Sequence, residues 1–203
     1  MMRRRPVPQV PGGSNEMYLP SYIKKIGKLT DQTEQYIAAL FQRDEFPKGH
    51  MLYSQGDICH HIYFMEKGIA RVFYHTENGK EITQWFFAED SFFTAIDSYY
   101  NHKPTMVNCE LLEDSVVYSL RYSEMEAMLD ENHDMAKLSF HVVYAIAKQL
   151  SQYIIGLKFQ SAEDRYNALM KEYPQIFQRV KLGYIASFLG LTQETLSRIR
   201  AGK

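Results

Sequence analysis

The chain has 203 residues, a formal charge of −1 and 45% hydrophobic residues, proportions that allow one or two soluble domains with a sizeable core. A near-neutral balance excludes attachment to nucleic acid or membrane by overall charge, and no apolar run reaches the roughly 18 residues needed to span a bilayer. Two cysteines, Cys59 and Cys109, are too few for a disulfide framework or a four-thiolate cluster and suit a reducing cytoplasm.

Residues 1–20 open with "MMRRRPVPQVPGGSNE", an Arg cluster without the apolar stretch of a secretory signal. Their Pro, Gly and polar content predicts a flexible tail, and Met17 offers an alternative start. From Leu29 to Phe41, Thr30 stands as an N-cap ahead of apolar Ile37, Leu40 and Phe41, which predicts a short amphipathic helix. Short apolar runs between turn signals follow, with Gly49, Gly56, Gly68 and the hairpin pair Asn78-Gly79 as punctuation. Such a series without interleaved helices predicts an antiparallel β-roll over residues 21–133, within an α+β chain.

After Arg121 the apolar period becomes helical. "YSEMEAMLDENH" reads as a short helix, and residues 134–160 read as one long helix. Its apolar stripe, expected along Leu138, Val142, Ile146, Gln149, Tyr153 and Leu157, exceeds what one small roll can cover. Pairing with a second copy of the chain is therefore expected. Ser161 and Asp164 predict a capping box that opens a final module, residues 161–203. That end is basic: residues 179–203 carry about +4, leaving the remainder about −5.

The module closes on "YIASFLGLTQETLSRIRAGK". Leu182, Ile185, Ala186 and Leu189 share one face of a first helix, Gly190 breaks it, and Thr192 caps a second in which Leu196 and Ile199 turn inward. Gln193, Glu194, Ser197 and Arg198 are left outward, the layout of a helix-turn-helix whose second helix enters the major groove. Arg can fork onto guanine, Glu can accept from cytosine, and hydroxyls can serve base or phosphate. Thr192, Thr195 and Arg200 complete the expected DNA-facing set.

The order of roll, long helix and helix-turn-helix, with "KGHMLYSQGD", "IYFMEKGIARVFY", "NGKEITQWFF" and "ETLSR", resembles the family of the cyclic-AMP receptor protein and the fumarate-nitrate regulator. The resemblance covers nearly everything after the tail. It implies a cytoplasmic homodimeric transcription regulator, not an enzyme, that binds double-stranded DNA at an inverted repeat and contacts RNA polymerase. Base reading by Glu194, Ser197 and Arg198 is implied, with Glu194 and Arg198 sharing a G·C pair. The family's β-hairpin wing beyond the reading helix has no counterpart before Lys203, and Arg200, Lys203 and Arg3–Arg5 are expected to supply phosphate contacts in its place.

The family's nucleotide cassette is not matched. Phe93-Thr94 stand where it has Gly-Glu, and Pro104-Thr105 where it has Arg-Ser; Pro supplies neither charge nor N–H, and Lys103 is a point charge rather than a fork. Glu89, Asp90 and Asp97 nearby would repel a phosphate. Phe93, Thr94, Lys103 and Thr105 are therefore the expected contacts of some other small effector, with Phe92, Tyr99 and Tyr100 as further candidate lining. No cofactor and no metal are expected: adjacent His60 and His61 point to opposite strand faces and cannot readily share an ion. The competing expectation is a small-molecule- or metal-binding roll whose C-terminal helices make protein contacts only.

Overall fold

The computed structural model describes residues 18–19, 22–23 and 30–202, so Arg3–Arg5 and Lys203, expected as phosphate contacts, lie outside the described residues. Among the described residues eight strands form the body: β1 (Gln42–Phe46), β2 (Met51–Tyr53), β3 (His61–Lys67), β4 (Ala70–His75), β5 (Glu81–Phe87), β6 (Phe92–Phe93), β7 (Asn108–Leu111) and β8 (Ser115–Arg121). They pair antiparallel in two four-stranded sheets, β1-β8-β3-β6 and β2-β7-β4-β5, the expected antiparallel roll.

The turns follow the glycines. Asn78-Gly79 lies in the β4–β5 connection, but the last strand pair is His75 with Glu81, so the loop is wider than a two-residue hairpin. Thr76 N–H donates to Lys80 O at 2.9 Å and Gly79 N–H to Thr76 O at 2.8 Å. Gly68, between β3 and β4, sits at φ +117°, and a Cβ there would meet Ser115 Oγ at 2.1 Å. Both the dihedral and the packing therefore demand glycine.

The helices are α1 (Asp31–Leu40), capped by Thr30, then α2 (Ile96–Asn101), α3 (Tyr122–Glu131), α4 (His133–Phe159), α5 (Ala162–Glu172), α6 (Ile176–Arg179), α7 (Leu182–Leu189) and α8 (Gln193–Arg200). Asn132 Oδ1 accepts from Asp134 and Met135 N–H to start the 27-residue α4. Ser161 and Asp164 exchange the two bonds of a capping box at α5.

Three cores hold this together. Tyr53, Cys59, Tyr63, Met65, Phe93 and Cys109 fill the roll. Leu19, Ile23, Ile37, Phe64, Leu120 and Met128 form a second core that joins the N-terminal segment, α1 and α3 to one sheet. The third is shared across the chain: Ile69, Phe86 and Ala88 of the roll are buried with Ile176, Val180, Ile185, Phe188 and Leu196 of the C-terminal helices. The helix-turn-helix thus docks on β5, an edge strand, rather than hanging from α4.

Candidate nucleic-acid interface and effector region

Local rules build the helix-turn-helix. Gly190 at φ +69° ends α7, and Leu191 N–H closes the turn on Ala186 O at 2.9 Å. Thr192 Oγ1 accepts from Thr195 N–H at 3.1 Å and starts α8. Leu196 is fully buried and Ile199 half-buried beneath it. Thr192, Gln193, Glu194, Ser197, Arg198 and Arg200 are exposed, and Thr195 is half-buried. Thr195 and Arg198 border a shallow groove whose other wall is the start of α5, Ser161 to Glu163.

Docking is carried by the other helix. Ser187 Oγ accepts the Thr83 N–H of β5 at 2.9 Å. Phe188 meets Trp85 edge-on with ring centroids 5.6 Å apart and lies stacked on Tyr153 at 5.3 Å. The Arg71 guanidinium, with a side chain only 1% exposed, lies between the Tyr184 ring at 3.6 Å and the Phe73 ring at 4.2 Å. It donates to Thr83 Oγ1 at 3.0 Å and to Glu110 and Glu81 at 2.7 Å each, so this buried cation is fully paired. Arg179 is clasped by Glu89, at 2.6 and 3.0 Å, and by Glu113. Burial disfavours the charge on Glu89, yet hydrogen bonds from Arg179 and from Gly68 N–H hold its carboxyl below the ordinary glutamate range. Arg71, Thr83, Trp85, Tyr184, Ser187 and Phe188 fall inside stretches quoted above, but nothing in those stretches marks them as docking contacts.

The long helix uses two faces, and the expected stripe straddles them. Gln149 donates to the Tyr173 hydroxyl at 2.7 Å and Tyr153 to Phe188 O at 3.0 Å, so both bond within their own subunit. Val142 and Ile146 are half-buried, Leu157 is exposed, and the side chain of Leu138 lies outside the described residues. The outward seam is instead Phe140, Val143, Ala147, Leu150, Ile154 and Leu157, all exposed and spaced 3, 4, 3, 4 and 3 residues apart.

The four expected effector contacts do not converge. Phe93 is 3% exposed in a run of stacked rings, Tyr53–Tyr63 at 6.2 Å, Tyr63–Phe93 at 5.5 Å and Phe93–Phe87 at 4.9 Å. Thr94 Oγ1 donates to His61 O at 2.8 Å beside Cys59. Thr105, 1% exposed, donates to Asp97 Oδ1 at 3.2 Å, and Met106 N–H donates to Asp97 Oδ2 at 3.2 Å. Lys103 and Tyr100 face solvent, whereas Phe92 packs on Phe64 at 4.7 Å. Cys109 is wholly buried beside Tyr53, and burial pushes its thiol far up, which makes it a poor nucleophile or ligand. Among the described residues no three His, Cys, Asp or Glu side chains group as a metal would require.

An antiparallel roll, a long helix with an exposed apolar seam and a docked helix-turn-helix make up the architecture. Comparison with known proteins agrees. Residues 43–132 match the cyclic nucleotide-binding domain family. The fumarate and nitrate reduction regulatory protein of Escherichia coli is 26% identical over 165 residues, covering 75% of this chain and 64% of that protein. The chain therefore spans about 64% of the length of that relative. FixK2 from Bradyrhizobium japonicum shares the fold at TM-score 0.66 and 16% identity, covering 80% of this chain and 83% of that one. A transcriptional regulator of the crp/fnr family from Eubacterium rectale does so at TM-score 0.66 and 15% identity, covering 86% and 83%. Over residues 43–132 the chain is similar to cyclic nucleotide-binding domains, and in fold it is similar to regulators of the Crp/Fnr family.

Proposed function

We propose that this protein is a homodimeric, sequence-specific DNA-binding transcription regulator rather than an enzyme. The observation that carries the proposal is the exposed face of α8, where Gln193, Glu194, Ser197 and Arg198 stand out from a helix whose buried residue is Leu196, with Thr195 and Ile199 half-buried. Arg198 forks onto guanine while Glu194 accepts from the paired cytosine, and Thr192, Thr195 and Arg200 serve the backbone. The exposed heptad seam of α4 pairs two copies, so the site is an inverted repeat with half-sites about one helical turn apart. RNA polymerase is the protein partner that the family suggests, and the cytoplasm the compartment. Among the described residues no helix is long and apolar enough to cross a membrane.

The roll does not take cyclic AMP in the family's usual way. Its interior is occupied by the ring stack of Tyr53, Tyr63, Phe93 and Phe87. The Thr105 hydroxyl and Met106 N–H, donors that a phosphate would need, already serve the Asp97 carboxylate. Any effector is a smaller or differently placed molecule than a nucleotide. The competing reading, C-terminal helices that only make protein contacts, draws on the docking of α7 but leaves the polar face of α8 without a task.

Selection of bound sequences from random duplex DNA is the test. Enrichment of an inverted repeat with a conserved G·C pair in each half-site supports the proposal. A pool that stays random with the purified dimer refutes it.

A further inference from the structure

Separating the reading domain from its roll would expose Phe86 and Ile69 on one side and Phe188, Ile185 and Val180 on the other, since all lie in one buried cluster. It would also strip one face from the Arg71 guanidinium and leave Thr83 N–H without Ser187 Oγ. On the far side it would open the Arg179 clasp, whose three side chains are each no more than a third exposed. Glu89 is itself held: Gly68 N–H donates to it, and the next residue, Asp90, sits at φ +65° and accepts the Tyr18 hydroxyl at 2.6 Å. These contacts spare the reading face, because α7 and α6 make them and α8 does not.

We propose that Arg71 under Tyr184 and Arg179 between Glu89 and Glu113 form a two-point latch, and that the latched subunit is the DNA-binding form. This rests on the DNA-reading function proposed above and specifies how that surface is controlled. A reader fixed to its own roll and, through Tyr153 and Phe188, to its own α4 moves as one body with them. The spacing of the two readers is then set by the dimer seam rather than by a hinge, and no ordering of a loose domain is needed on binding. A signal that acts on this chain must shift one subunit against the other, or open the latch and switch binding off.

Trp85, the chain's only tryptophan, lies in the docking surface against Phe188 and Tyr153 and reports the latch directly. Arg179→Glu is expected to move Trp85 emission to longer wavelength and to weaken binding to the selected inverted repeat about tenfold, the scale of a partly buried ion cluster broken and reversed. Combining it with Glu89→Lys and Glu113→Lys is expected to restore both. Tyr184→Leu, which keeps the bulk and removes the aromatic face, is expected to shift both readouts in the same direction by less. An emission shift with unchanged or tighter DNA binding overturns the proposal, as does an emission spectrum that Arg179→Glu leaves unmoved. A wild-type dimer that selects no DNA sinks the function itself and the DNA half of this proposal with it, while the emission change still decides whether the latch exists.

Discussion

Helices α7 and α8 are eight residues each, are separated by three residues, and do opposite work. In α7 four residues, Ile185, Ala186, Phe188 and Leu189, are buried; in α8 only Leu196 is. The first helix spends its surface on the body of its own subunit, and the second keeps its surface for something outside. A helix pair that served only as a structural hairpin would have no reason to divide its faces so unequally. The division lets the reader be rigidly mounted without being covered, and it makes the two helices separable by mutation.

The largest expected effect comes from the stalk that should bring two readers together. Ile154→Glu places an unpaired charge in the proposed seam of each copy, and a loss of about 3–5 kcal/mol per buried charge is enough to yield monomers by light scattering. Tyr153→Glu, one residue away, is instead expected to leave the mass of the dimer and disturb Trp85 emission, because Tyr153 faces its own reader. Next is the docking helix: Phe188→Ala removes a buried ring and should cost about 3–5 kcal/mol of stability in denaturant unfolding. The reading helix behaves the other way. Arg198→Ala should leave stability within about 0.5 kcal/mol yet cost about 1–3 kcal/mol of specific DNA binding and relax the preference at one base pair. A loss of stability without loss of specificity would erase the distinction between the helices.

The smallest effect is in acid. Glu89 is held below the ordinary glutamate value of 4.5, so its contribution is fully present above that pH and is lost as pH falls through the lowered folded value. Trp85 emission should accordingly be flat from neutrality to about pH 5 and redden below the ordinary glutamate range, before global unfolding by circular dichroism. A shift centred near neutrality would point to another group.

Local chemistry made much of this legible in the sequence. The Thr30 cap, the Ser161–Asp164 box, the Gly190 break and the Thr192 cap each depend on partners within a few residues, and each appears where the pattern predicts. Strand runs and glycine turns likewise foretold the roll. The face of α4 was harder to read: apolar residues lie on both its inward and outward sides, and a single stripe drawn through them took in Gln149 and Tyr153, which bond within their own subunit. The docking surface was invisible for a different reason. Arg179 and Glu89 are 90 residues apart in the chain, and Arg71 sits inside what reads as a plain apolar strand. Pairings of that span follow from topology, not from any neighbouring residue. For the effector set, position in the sequence says nothing about whether Phe93 lines a space or fills it, and the structure places it in a stack of rings.

The cover that α7 lays over β5 also bears on how the chain can be divided. β5 ends its sheet, and without α7 its outward amides and Phe86 would meet water as an open, apolar ribbon. A fragment cut after residue 160 would therefore be a self-adhesive body prone to strand-to-strand aggregation, not a tidy sensor module. The C-terminal helices are as much a lid for the sheet as the proposed tool for DNA.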